Sequence, residues 1–148
     1  MKKAIYLIPA LILFCFTNLF SQNSNNYEIE INKELWKTEP INADEYFDNK
    51  YLNDGNLHIH FQSAFEKDTA EIKINGKFYG KFSLTTEWST ELADVIVIPK
   101  FETIKSVSIS INGGKQAVFE IEKMNQIIVR LRENKLLIGF RKHVPYYD

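Results

Sequence analysis

Ile127-Ile128-Val129-Arg130-Leu131-Arg132-Glu133-Asn134-Lys135-Leu136-Leu137-Ile138-Gly139-Phe140 decides the fold. With Glu133-Asn134 as a two-residue turn, Leu131 faces Leu136, Val129 faces Ile138 and Ile127 faces Phe140. The opposite side pairs Arg132 with Lys135, Arg130 with Leu137 and Ile128 with Gly139. Side chains alternate across a strand with period two, so a slip of one residue would scramble this sorting. The stretch is a hairpin with one buried face. Val129→Asp is expected to unfold the chain, and Arg130→Asp on the other face to be mild.

Working back from the hairpin, the same period recurs. Ala117, Phe119 and Ile121 alternate with Gln116, Val118, Glu120 and Glu122, after an Asn112-Gly113-Gly114 turn. Val107, Ile109 and Ile111 alternate with Ser106, Ser108 and Ser110, which read as a solvated strand face. Val95–Ile98 is a continuous apolar run stopped by Pro99, the pattern of a strand covered on both faces. Asn75-Gly76 between Glu71–Ile74 and Lys77–Phe82 signals a hairpin. A loop of Ile74-Asn75-Gly76 sets Ile72 opposite Phe78 and is preferred here to the two-residue turn, which sets Ile74 opposite Lys77. Leu57, Ile59 and Phe61 alternate with His58 and His60 after an Asn53-Asp54-Gly55 turn. Tyr27, Ile29 and Ile31 alternate with Glu28 and Glu30. A short helix over Ala43–Lys50, capped by Asn42, would fit its acidic start, and Trp36 beside Leu35 reads as core.

These segments amount to about eight or nine short strands with turn signals at sandwich or barrel spacing. No helical stretch is long enough for a parallel crossover. The expected fold is all-β, an antiparallel β-sandwich of immunoglobulin-like or jelly-roll style, with at most one short helix.

The N-terminus is read apart from the fold. Lys2 and Lys3 precede the uncharged apolar stretch Ala4–Phe20, and Ser21 is a small residue suited to cleavage. Residues 1–21 are expected to be a secretory signal peptide, 22–26 a polar linker and 27–148 one sandwich domain. The competing reading is a retained anchor, for which the stretch falls short of the ~20 residues a spanning helix needs. Cleaved, the chain has no integral membrane span and is secreted or periplasmic. Lipidation at Cys15 does not fit, because bulky Phe14 precedes it.

Losing the leader removes two of the 18 basic residues and leaves 19 acidic ones, a formal charge of −3. That balance gives no electrostatic case for nucleic acid. Cys15 is the only cysteine, so the mature chain has no disulfide, thiol nucleophile or cysteine metal ligand. Its core alone must hold it, which suits an aromatic content of 14%.

No catalytic residue is assigned and no cofactor is expected. His58 and His60 put two imidazoles on one strand face, the start of a metal site, but a site needs three or more convergent ligands. Gly55 and Glu66 stand at the wrong spacings for the cupin-type metal motif, and the remaining histidine is His143 in the tail. The bland reading is that both are polar positions of an alternating strand. No Gly-x-Ser-x-Gly elbow is present.

Trp88, among Thr85, Thr86, Ser89 and Thr90, could stack on a sugar ring. Its competing reading folds the indole back over the end of the sandwich, where it would bury a large area. The tail from Val144 to Tyr147 reads as an edge strand or an adhesive extension. The expected function is an exported non-catalytic sandwich binding a polysaccharide or another exported protein; the alternative is a small metal-dependent enzyme or metal-binding protein using His58 and His60.

Overall fold

The computed structural model describes residues 27–33, 54–122 and 124–141. Among these lie nine strands: β1 (Glu28–Asn32), β2 (Asn56–Gln62), β3 (Asp68–Ile74), β4 (Lys77–Leu84), β5 (Leu92–Pro99), β6 (Ser106–Ile111), β7 (Ala117–Glu120), β8 (Gln126–Arg132) and β9 (Lys135–Arg141). A 3-10 turn, Phe101–Thr103, follows β5. No helix among the described residues is long and apolar enough to cross a membrane. The leader and linker, the helix over Ala43–Lys50, Trp36, His143 and the tail beyond Arg141 lie outside the described residues.

The strands form two sheets, ordered β1-β9-β8-β2-β5 and β4-β3-β6-β7. This is the expected all-β sandwich. The opening hairpin has the expected register throughout, from Arg132 opposite Lys135 to Ile127 opposite Phe140. Its turn places Glu133 at φ 52°. Two pairings are parallel: β1 lies beside β9, and β2 beside β8. The C-terminal hairpin thus sits between the two N-terminal strands of its sheet.

The core lies between the sheets. Ile59, Phe61, Ile127, Val129, Leu136 and Ile138 from the first sheet meet Ala70, Ile72, Val107, Ile109 and Ile111 from the second, all at most 1% exposed. Each large member contributes roughly 1.5–3 kcal/mol by leaving water.

Three local expectations need correction. Asn75 and Gly76 both take positive φ (50° and 76°), the backbone of a two-residue type I′ turn. Ile74 therefore faces Lys77, and a bulge between Ile72 and Lys73 sets Phe78 opposite Lys73 and Ile72 opposite Gly80. The turn imposes its own geometry, and the bulge restores the apolar face beyond it. The apolar run of β5 is not covered on both faces: Ile96 and Ile98 enter the core, whereas Val97 on the outer face is 46% exposed. Ser108 and Ser110 are buried although they point away from the core, because short side chains in β6 stand between longer neighbours, Lys73 and Val118 for Ser108 and Glu71 for Ser110.

One hydroxyl ties β1 to the opposite sheet. Tyr27 donates to the Lys115 carbonyl at 2.6 Å and accepts from the Ile111 amide at 2.8 Å. Burial raises its pKa against the pull of the Ile111 amide, which keeps the hydroxyl protonated and able to do both. Tyr27→Phe should cost about 1–3 kcal/mol, because it strands a buried amide while keeping the ring. Urea unfolding would show it as a lower midpoint with unchanged slope; an unchanged midpoint would mean that the hydroxyl does not hold the sheets.

Candidate functional site

The outer face of the first sheet carries a row of polar side chains that the register brings together. In β2, His58 stands between Val97 of β5 and Gln126 of β8, and Gln126 is followed by Arg141 of β9. One step along, His60 lies between Val95 and Ile128, and Gln62 lies beside Arg130. His58, His60, Gln62 and Gln126 are all buried, as is Ile128. The face expected to be wet is therefore closed at its centre.

Each polar group on it has a partner. The His58 Nε2–H donates to Asp54 Oδ2 at 2.8 Å, and the His60 Nε2–H to Gln126 Oε1 at 2.9 Å. Arg130 donates through Nε and Nη2 to Gln62 Oε1, at 3.0 and 2.7 Å. The two imidazoles stack with centroids 6.3 Å apart and planes 24° apart. Burial pushes His60 down to about 4, helped by the charges of His58 and Arg141 and opposed by the Gln126 hydrogen bond. Asp54 is raised by desolvation, but hydrogen bonds from Asn56 and His58, with the charge of His58, bring it below the usual carboxylate value.

This arrangement engages both imidazoles in hydrogen bonds. Both Nε2 atoms are directed at side-chain oxygens, and among the described residues no group of three or more His, Cys, Asp or Glu converges as a metal site. The sheet brings His58 and His60 together as the period predicts, and sets amides and guanidinium groups beside them in place of a third ligand. A cleft of about 120 Å³ at the β1–β7 side, lined by Lys33, Glu120, Glu122, Met124 and Phe140, includes neither histidine.

Trp88 is placed differently. Glu87–Thr90 is a turn closed by the Thr90 amide on the Glu87 carbonyl at 3.2 Å, with the Glu87 amide on the Leu92 carbonyl at 2.8 Å. The indole projects from this turn and is 72% exposed, so it does not fold back over the sandwich. Its hydroxyl neighbours are already engaged. Thr86 is buried, and its Oγ1 accepts the Phe65 amide at 2.9 Å. Thr85 Oγ1 accepts the Lys67 amide, Ser89 donates to Glu87 Oε1, and Thr90 Oγ1 bridges the Glu87 carbonyl and the Leu92 amide. Serines and threonines bond readily to nearby backbone, and here they fix the loop that carries the ring.

Two exposed aromatic residues escaped the sequence reading: Phe78 at 61% and Tyr79 at 42%. The signal was present in Asn75-Gly76. Accepting its two-residue turn would have set Phe78 beside Lys73, on the outward face. Set against protein-family models, curated proteins and solved structures, the chain matches none of them.

Proposed function

We propose that this chain is an exported, non-catalytic binding domain that attaches to a polysaccharide through Trp88. The observation that carries the reading is an indole 72% exposed on a turn whose neighbouring hydroxyls are all engaged within the loop. A large amphipathic ring left in water favours a ligand that offers one apolar face and polar edges, as a pyranose ring does. The turn is already ordered, so little conformational freedom is lost when the ring is covered. Export follows from the leader pattern of residues 1–21.

Native electrophoresis through gels containing soluble polysaccharides, neutral and acidic, tests this directly. Wild-type protein should be retarded by at least one of them, and Trp88→Ala should migrate as it does in a plain gel. The substitution lies on the surface, where changes stay within about ±0.5 kcal/mol, so folding is preserved. Retardation of Trp88→Ala equal to that of wild type would refute the reading.

A further inference from the structure

We infer that Thr86 is the positioning residue of this site: it clamps the Trp88 turn to the neighbouring Ser63–Lys67 loop and so fixes where the indole stands. The inference rests on the reading of Trp88 just given and names what holds the ring rather than what covers it.

Two loops are bonded together here. The connection from β2 to β3, Ser63–Lys67, lies beside the connection from β4 to β5, Thr85–Glu91. The Thr86 amide donates to the Phe65 carbonyl at 2.9 Å, and the Phe65 amide donates back to Thr86 Oγ1 at 2.9 Å. At the far end of the turn, the Ser63 amide donates to the Glu91 carbonyl at 2.8 Å. Phe65 is itself fixed. Its side chain is buried and meets Phe61 of β2 edge-on, with centroids 5.7 Å apart. A path of packing and hydrogen bonds thus runs from the core through Phe65 to Thr86, two residues before the indole.

The backbone gives the clamp something to resist. Ser63, Ala64, Lys67 and Glu91 take φ of 51°, 63°, 55° and 54°, four of the eight non-glycine residues with positive φ among the described residues. Left-handed backbone disfavours residues with a Cβ, and it persists where surrounding bonds over-determine it. With the Phe65–Thr86 pair gone, both loops are free to relax toward ordinary backbone, and the turn that carries Trp88 moves with them.

Thr86 is singled out among the hydroxyls around Trp88. It alone of the four is buried; Thr85 and Ser89 are exposed, and Thr90 is half-buried. The Thr85 bond to the Lys67 amide is longer, at 3.3 Å, and Ser89 and Thr90 bond within their own turn or to Leu92. Thr86→Val keeps the shape of the side chain and removes the acceptor, which leaves the Phe65 amide without its partner. Thr86→Ser keeps that acceptor. A binding group held too loosely loses affinity without losing any contact, because its freedom must be given up on binding.

The test is affinity electrophoresis in graded concentrations of hydroxyethylcellulose, galactomannan, xylan or polygalacturonate, whichever retards wild type. Thr86→Val should weaken retention about tenfold, and Thr86→Ser by no more than about twofold. Phe65→Leu is the control, since it opens a cavity in the core but keeps both backbone groups that bond Thr86. It should lower the melting temperature and leave retention near wild type. In fluorine NMR of fluorotryptophan-labelled protein, the resonance lost in Trp88→Ala should broaden or split in Thr86→Val and stay single in Thr86→Ser. If Thr86→Val binds like wild type while Trp88→Ala fails, Thr86 does not position the ring and the Trp88 reading stands. Equal weakening by Phe65→Leu would mean that Thr86 acts through stability alone, and likewise overturns this inference only. Wild-type binding by Trp88→Ala, or no retardation of wild type by any of these polymers, overturns both.

Discussion

Val129→Asp should leave the chain without a cooperative unfolding transition and with collapsed amide dispersion in its NMR spectrum. Val129 is fully buried between Phe61 of β2 and Ile138 of β9. A carboxylate there has no partner, and its burial costs several kcal/mol in addition to the valine packing lost. The whole fold is worth only ~5–15 kcal/mol. The neighbouring Arg130→Asp, expected from the sequence to be mild, should instead be intermediate at about 1–3 kcal/mol. Its guanidinium is half-buried and makes two hydrogen bonds to Gln62, and hydrogen bonds to charged groups are the stronger kind. A folded Val129→Asp protein with a normal transition would mean that the hairpin does not form the centre of the core.

Acid should weaken this protein through His60 before most carboxylates titrate. Its folded pKa of about 4 lies below the ordinary 6.5, so between those values the unfolded chain binds a proton that the folded chain refuses. Stability is therefore complete above pH ~6.5 and falls as pH drops toward 4, by up to about 3 kcal/mol. The cause is burial first, with the charges of His58 and Arg141 acting in the same direction. NMR titration of the imidazole should give a midpoint near 4, and His60→Gln should flatten the stability profile across this window. A midpoint near 6.5 would dismiss the effect.

What the sequence disclosed depended on range. The β8–β9 register was legible because apolar and polar residues sort in one pairing and the partners lie two residues apart. The periods of β2, β6 and β7 were legible for the same reason. Which strands meet across the sheet was not, because nothing local in Leu57–Phe61 announces Ile127–Val129 as its parallel neighbour. β5 showed the limit of composition: Val95–Ile98 has the apolar continuity of an inner strand, yet it ends its sheet's order and leaves Val97 in water. His58 and His60 were placed on a shared face correctly, but alternation says only which side a residue faces, not whether that side is wet. For Trp88, both readings rested on one side chain's chemistry, and only the exposure of the indole in the fold removes the folded-back one.

The position of the last hairpin has a consequence for how the chain comes to be folded. β8 and β9 are last in sequence among the described strands, and they occupy the middle of the five-stranded sheet, where Ile29 meets Leu136 and Ile59 meets Ile127. Without them, among the described strands, β1 has no neighbour in that sheet and β2 has only β5. Such long-range pairing makes for slow folding, since distant segments must be brought together before any contact repays the lost freedom. Any order of folding that begins with the N-terminal strands must therefore leave a gap in this sheet, to be filled by the hairpin as a unit.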